Sequence, residues 1–281
     1  MEAAGCSSAL HITTARDNAE LPTLPSSPKH ELSILSTEEH KRYQRDGFLH
    51  LKGFYQGEEL DHLRECLAQV QESPEEVGGQ MMYFEEGSGG QGRLLQRVED
   101  FCRRHKGMEA LFCGAESRLA QACGDLIGED VVLFKDKINF KLPGGDGFKA
   151  HQDQAAGWGK YIDWFMSIGV FVDAATVENG ALEVAGGYHK DGLLGEEWTP
   201  IVDLDIEYTL VPCDPGDVLF FDSYVPHRSA PNNSDKARRA LFITYNKASE
   251  GYKLPEYYED KRRDFPPDIE RPDGKVYTYR V

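Results

Sequence analysis

Between Val131 and Tyr245 the chain breaks into short apolar runs separated by glycine- and proline-rich turns. Val131–Phe134, Ile138–Leu142, Trp164–Val172, Val218–Asp222 and Ala240–Tyr245 are rich in β-branched and aromatic residues and shorter than typical helices. Pro143-Gly144-Gly145-Asp146-Gly147 and Pro215-Gly216-Asp217 read as turns between them. Strands punctuated in this way predict a mainly β domain, a sandwich or jelly roll, with helices flanking it. Ser36-Thr37-Glu38-Glu39 has the form of a capping box and opens a helix that Gly47 should end. A strand is expected over Phe48–Phe54. Leu60, Leu63, Leu67 and Val70 recur at helical spacing within Gly57–Glu72. Further helices are expected over Gln96–His105 and Ser117–Leu126.

Set into this strand pattern is a chemical one. His151-Gln152-Asp153 follows the strand signal Phe148-Lys149-Ala150, and His227 follows the strand 218–222. Residues two apart on an extended chain point to one side. His151 and Asp153 can therefore reach one metal, with His227 supplied by a neighbouring strand. Two imidazoles and one carboxylate on one face of an octahedral ion are the ligand set of non-haem Fe(II) oxygenases, which leaves three positions open. Arg238 then precedes an apolar strand. An arginine pointing into a barrel is costly unless it meets an anion, and its planar fork matches a carboxylate such as the distal one of 2-oxoglutarate. The plainer alternative is a solvated Arg238-Arg239 pair at a strand start.

Taken in order, several segments resemble the phytanoyl-CoA dioxygenase (PhyH) family of Fe(II)/2-oxoglutarate oxygenases, from about Tyr43 to Lys247. These are Tyr43–Phe54, His151-Gln152-Asp153, Glu178–Leu182, Pro215-Gly216-Asp217 and His227…Asn232…Ser234…Arg238. The resemblance implies a double-stranded β-helix (cupin-like jelly roll), iron on His151, Asp153 and His227, and 2-oxoglutarate on Arg238. Lys137 and Gln152 are the other candidates for holding the co-substrate. Dioxygen is the oxidant, and ascorbate is expected to support activity. Asp153 is the carboxylate that halogenating relatives lack, which favours hydroxylation. One stretch departs from the pattern: Gly186-Gly187-Tyr188-His189 stands where the family has Pro-Gly-Ser-His, and His189 is read as structural.

The substrate must be read from the lining. Lys135, Lys137, Asn139 and Lys141 alternate on one face of a strand in a chain of net charge −17. Lys137 and Asn139 are expected to face the site, with Lys135 or Lys141 outside. Trp158 and Tyr161 could line the opening, and Arg93 and Arg97, one helical turn apart, could reach an anion. Lys135–Gly145, Met82-Tyr83-Phe84 and Val98-Glu99-Asp100-Phe101 look like the organophosphonate hydroxylases of the family. In that reading cations and amides hold a phosphonate of the 2-aminoethylphosphonate type, and Glu183, Tyr161 or Trp164 meets its ammonium. Other readings stay open: hydroxylation of an amino acid, an ectoine-like zwitterion or a natural-product intermediate; hydroxylation of an acyl-CoA; or a non-enzymatic metal-binding or sensing protein. The C-terminal Tyr279-Arg280-Val281 is not a peroxisomal Ser-Lys-Leu, which counts against the acyl-CoA reading.

The 281 residues are enough for one large domain. The acidic balance excludes a phosphate-neutralising nucleic-acid face and an anionic membrane surface. No apolar run approaches a membrane span, and no signal-peptide pattern is present. Six scattered cysteines without a C-x-x-C pair suggest free thiols and a cytoplasmic protein. Residues 1–35 read as a disordered tail, 36–253 as the dioxygenase domain and 254–281 as a strap packed on it. The oligomeric state is left open.

Overall fold

The computed structural model describes residues 32–86, 92–202, 204–272 and 275. Its helices are α1 (Thr37–Asp46), α2 (Gly57–Glu72), α3 (Lys106–Phe112), α4 (Arg118–Ile127) and α5 (Leu254–Asp264). Its strands are β1 (Phe48–Leu51), β2 (Met81–Glu86), β3 (Arg93–Glu99), β4 (Val131–Lys141), β5 (Phe148–His151), β6 (Met166–Phe171), β7 (Leu182–Val184), β8 (Thr209–Val211), β9 (Val218–Asp222), β10 (His227–Ser229) and β11 (Arg238–Lys247). Among the described residues they form a seven-stranded sheet, β1-β9-β6-β11-β4-β3-β2, and a four-stranded sheet, β5-β10-β7-β8. The pairings are antiparallel. Two facing antiparallel sheets make the expected jelly roll.

Each face of the large sheet has its own core. Outward, Ile138, Ile168, Phe220, Leu241 and Ile243 pack with Leu63, Leu67 and Val70 of α2 and Leu126 of α4. Inward, Phe171, Leu219, Phe221 and Ala240 pack with Leu182, Val184 and Val211 of the small sheet. Burial on both faces explains why β6 and β9 read as unbroken apolar runs. Each buried Phe or Leu contributes roughly 1.5–3 kcal/mol relative to leaving it in water.

The entry helix forms as its capping box predicts. Ser36 and Glu39 satisfy each other's backbone N–H groups, and Gly47 ends α1 with φ +75° and an N–H donated to Tyr43 O at 2.7 Å. Only a residue without a Cβ fits there, because the His189 ring would lie 2.4 Å from one. His189 is thus a packing residue against the end of α1.

Three expectations are corrected. The ordered domain starts before residue 36: the amides of Ser33, Ile34 and Leu35 donate to the Asp125 carboxylate at 3.0, 2.7 and 2.9 Å, and Leu35 is buried. The rest of the proposed tail, 1–31, lies outside the described residues. The segment Gln96–His105 is not a helix. Its first part completes β3 between β2 and β4, followed by a short 3₁₀ turn at Cys102–Arg104. Leu94, Leu95 and Val98 mimic helical spacing, but sheet neighbours override it. The expected C-terminal strap contains a regular helix, α5, opened by Leu254-Pro255; residues 273–274 and 276–281 lie outside the described residues.

Candidate active site

The small sheet brings the two histidines together. β5 and β10 are neighbours, and His151 and His227 are direct partners in register. Their rings lie 4.2 Å apart between centroids. Asp153 follows in a 3₁₀ turn, Asp153–Ala156. Its Oδ1 stands 3.9 Å from His151 Nε2 and 3.8 Å from His227 Nε2. The three donor atoms lie within 4.8 Å of one another, a spacing one ion can bridge.

Each histidine is held in the tautomer a metal requires. His151 Nδ1 lies 2.7 Å from Lys149 O, and His227 Nδ1 lies 3.0 Å from Val225 O. A carbonyl can only accept, so each Nδ1 carries the proton and each Nε2 lone pair faces Asp153. Burial, reinforced by the neighbouring His227, holds His151 down at about 3, so it stays neutral. Asp153 Oδ2 accepts from Ser167 on β6 at 2.5 Å. Two imidazoles so oriented and an oriented carboxylate suit a divalent ion of Fe(II) type. A second cluster, His50, Cys213 and Asp217, is a turn clamp: Asp217 accepts from the Gly53 and Asp214 amides and faces His50 Nε2 at 2.9 Å.

Two cations lie buried beyond the cleft lining. Arg238 and Lys141 are register partners on β11 and β4, hence on one face. Arg238 is 2% exposed; Nη1 donates to Gly180 O at 2.8 Å, and buried Nε has no hydrogen-bond partner. Lys141 Nζ donates to Ser229 Oγ at 3.0 Å and to Ala230 O. Burial, then the adjacent Arg238, lowers Lys141 to about 8. Neither forms an ion pair among the described residues. An orphaned guanidinium N–H beside a second cation fits the carboxylate of a bound acid.

Above the triad opens a cleft of about 630 Å³. Lys135, Lys137, Arg97 and Lys261 form a cationic wall, while Trp158, Tyr161, Tyr257, Trp198 and Phe265 supply aromatic surface. Burial, then neighbouring Lys135, lowers Lys137 to about 7. Lys135 Nζ lies 5.0 Å from the Trp158 ring centroid and 5.7 Å from that of Tyr257.

The phytanoyl-CoA dioxygenase (PhyH) family profile matches residues 43–240. The chain belongs to that family. It is 40% identical over 251 residues to the 2-aminoethylphosphonate dioxygenase of uncultured bacterium HF130_AEPn_1, covering 88% of this chain and 95% of that protein. It is 37% identical over 237 residues to the methylphosphonate hydroxylase of Gimesia maris, covering 83% and 89%. The crystal structure of EctD from S. alaskensis with 2-oxoglutarate and 5-hydroxyectoine superposes with a TM-score of 0.69 at 19% identity, over 93% of this chain and 92% of that one. The protein is an Fe(II)/2-oxoglutarate-dependent dioxygenase with the family's jelly-roll fold.

Within this dioxygenase, the sequence-predicted residues divide. Trp158, Tyr161 and Lys137 line the cleft. Lys135 lines it too, and Lys141 is buried behind, so neither is outside as expected; the whole alternating face of β4 points inward. Asn139 lies on that face, 7% exposed, between Lys137 and Lys141, and outside the cleft lining. Gln152 turns away from the cleft, because its neighbours His151 and Asp153 take the inward side. It donates to Gly192 O and Tyr224 O at 2.8 and 2.7 Å and accepts from Leu194 N at 2.8 Å, tying down a loop. Arg93 does not reach the cleft. It pairs with Glu75 at 2.9 Å and Asp268 at 3.4 Å and stacks on Phe84, because β3 carries it to the far end of the sheet. Glu183 pairs outward with Arg228 at 2.7 Å, and the Trp164 indole donates to buried Asp222 at 2.6 Å. Neither is available to a substrate ammonium. Tyr161 donates its hydroxyl to Asp260 at 2.8 Å.

Several site residues escape a sequence reading. Ser167, beside Asp153, lies in an apolar run that signals only a strand. Tyr257, Lys261 and Phe265 come from α5 and the residue after it; the sequence reads this segment as a strap over the barrel near the site mouth, but singles out none of the three.

Proposed function

We propose that the protein hydroxylates the carbon next to phosphorus in a small organophosphonate of the 2-aminoethylphosphonate type. The observation that carries this reading is the cationic wall of Arg97, Lys135, Lys137 and Lys261 beside the triad, in a chain of net charge −17. These four cations stand together in the cleft that holds the candidate ion site, while Lys160, also in the lining, is paired with Asp260; such a wall suits a compact anionic head held close to the metal. The two relatives named for phosphonates point the same way.

In this reading His151, Asp153 and His227 hold iron, and Arg238 with Lys141 holds the distal carboxylate of 2-oxoglutarate. Iron with 2-oxoglutarate and dioxygen supplies the oxidation of a C–H bond to an alcohol, giving succinate and carbon dioxide. The protein's own work is placement. Nδ1–H donation to carbonyls fixes both imidazoles, Ser167 fixes Asp153, and Lys135 and Lys137 seat the anionic head. Trp158, Tyr161 and Tyr257 exclude water from the mouth. Ascorbate would serve to keep the iron ferrous. Among the described residues no helix is long and apolar enough to cross a membrane, and Cys66, Cys102, Cys113, Cys123 and Cys213 are free thiols, which favours work in the cytoplasm.

The deciding experiment is succinate release with Fe(II), 2-oxoglutarate and oxygen, with and without methylphosphonate, 2-aminoethylphosphonate and its trimethylammonium form. Stimulation by one of them with a matching hydroxylated product is expected. Turnover that no phosphonate accelerates, but that an amino acid or ectoine does, sinks the phosphonate reading.

A further inference from the structure

One carboxylate at the cationic wall has no part in the chemistry above. Glu99 ends β3, is 0% exposed, and sits directly opposite Lys137 in the β3–β4 register. It stays behind the cleft lining, whereas Arg97, Lys135, Lys137 and Lys261 are part of it. Lys261 Nζ lies 2.8 Å from Glu99 Oε2 and donates to Oε1 at 3.1 Å, and Arg97 Nε lies 3.2 Å from Oε1. The two cations come from different parts of the chain: Arg97 from β3 and Lys261 from α5, which lies outside the jelly roll.

We infer that Glu99 is a positioning residue for the substrate's anionic group: from behind the wall it fixes Lys261 and Arg97 where that group must bind, without touching substrate itself. The inference rests on the phosphonate reading of the cleft and names the device that sets its charge geometry. A lysine head on a four-carbon stem loses considerable rotamer freedom when it is fixed. Glu99 makes Lys261 meet that cost before substrate arrives, so less is left to pay on binding. It also raises the charged fraction of the lysine. Burial draws Lys261 down to about 7 even against the pull of Glu99. Burial alone would raise the Glu99 carboxyl, but Lys261, Arg97 and Lys135 outweigh it and hold it at about 2. A buried ion pair is weak evidence for stability. The Glu99 carboxylate stays behind the wall while Arg97 and Lys261 reach the lining, so the paired cations, not their anchor, face the cleft.

The test uses the full-length, iron-loaded protein and four forms: wild type, Glu99→Gln, Lys261→Met and the double variant. The readouts are KM and kcat for 2-aminoethylphosphonate, KM for 2-oxoglutarate, and equilibrium binding of inorganic phosphate as a probe that needs no turnover. Each single change should raise the phosphonate KM and weaken phosphate binding on the order of tenfold, with kcat and the 2-oxoglutarate KM within about twofold. The double variant should be no worse than the worse single, because the pair acts as a unit. It removes both charges of the Glu99–Lys261 pair together, so it reports even where Glu99→Gln alone fails to fold. An unchanged phosphate affinity in these variants overturns the inference, as does wild type that binds no phosphate. So does a parallel loss in kcat, both KM values and unfolding midpoint, which marks Glu99 as merely structural. If no phosphonate stimulates wild type yet phosphate binding still weakens in the variants, the substrate reading falls and the role of Glu99 stands.

Discussion

Ser167 donates its hydroxyl to Oδ2 of Asp153 at 2.5 Å, which leaves Oδ1 facing both histidines. Ser167 sits on β6 of the large sheet, so this hydrogen bond ties the rotamer of a candidate ligand, in the turn just after β5 of the small sheet, to the opposite wall of the barrel. Partners of ligating carboxylates typically contribute about 10- to 100-fold in metal affinity or activity. Ser167→Ala should therefore weaken Fe(II) binding on the order of tenfold while leaving the fold intact. Titration of apoprotein with Fe(II) under anaerobic conditions checks this; equal affinity in the two proteins would show that the hydroxyl is dispensable.

Asp222 predicts a stability slope away from the reaction. Burial raises its carboxyl from the ordinary 3.8 to about 7, although the Trp164 indole and the Tyr224 amide pull the other way. Between those two values the unfolded chain has lost this proton and the folded chain keeps it. This contribution to stability is complete below pH 4, declines as pH rises towards 7, and is flat above. Asp222→Asn mimics the neutral form and keeps one oxygen, enough for one of the two donors, so its midpoint starts lower but loses the pH slope. Its thermal midpoint should fall less than that of wild type between pH 4 and 7. Parallel midpoint curves would mean that Asp222 ionises normally in the folded protein.

The fold was legible because its signals are local, and so was the grouping of His151, Asp153 and His227 as a candidate ion site. Two-residue spacing put His151 and Asp153 on one side, and the runs around Ile168 and Phe220 can only be strands buried on both faces. The substrate wall was legible in part. Alternation along β4 flagged Lys135 and Lys137, but whether that face looks in or out depends on β11 and β6 covering it. Arg93 and Arg97 illustrate the limit. Read as one helical turn, they share a face; on β3 they are four residues apart along a strand, one at the exposed end beside Glu75 and one at the cleft. Lys261 is more than 100 positions from the other cations of the wall, and no local pattern announces that α5 returns to close the cleft.

Arg238 and Lys141 predict how the co-substrate is held. Hydrogen bonds to charged groups contribute about 1.5–3 kcal/mol. Arg238→Met keeps much of the stem's volume and removes the fork. It should raise the 2-oxoglutarate KM by about 10- to 100-fold, with little change in Fe(II) affinity. Lys141→Met should have the same direction and a smaller size, since Lys141 already donates to Ser229 and Ala230. A 2-oxoglutarate KM that is unmoved in Arg238→Met would place the co-substrate elsewhere in the barrel.

Gly157 and Trp198 meet in the lining of the cleft. Gly157 has φ +74°, and a Cβ there would lie 2.7 Å from the Trp198 ring. Trp198 itself holds a positive φ of 62°, is fixed by its N–H to Ala155 O at 2.8 Å, and faces Phe265 beyond α5 at 6.4 Å between ring centroids. Backbone held in this region costs on the order of 1–3 kcal/mol in a residue with a side chain, so surrounding contacts must impose it. Gly157→Ala must push the indole off the mouth and add strain at position 157. An opened mouth admits water, so more 2-oxoglutarate should be consumed per substrate hydroxylated. The ratio of succinate to hydroxylated product should rise in Gly157→Ala, and Trp198→Ala should reproduce the rise without strain at position 157. If the ratio stays at one in both variants, the indole does not seal the site; if it rises only in Gly157→Ala, the backbone of the turn, and not the ring over it, governs coupling.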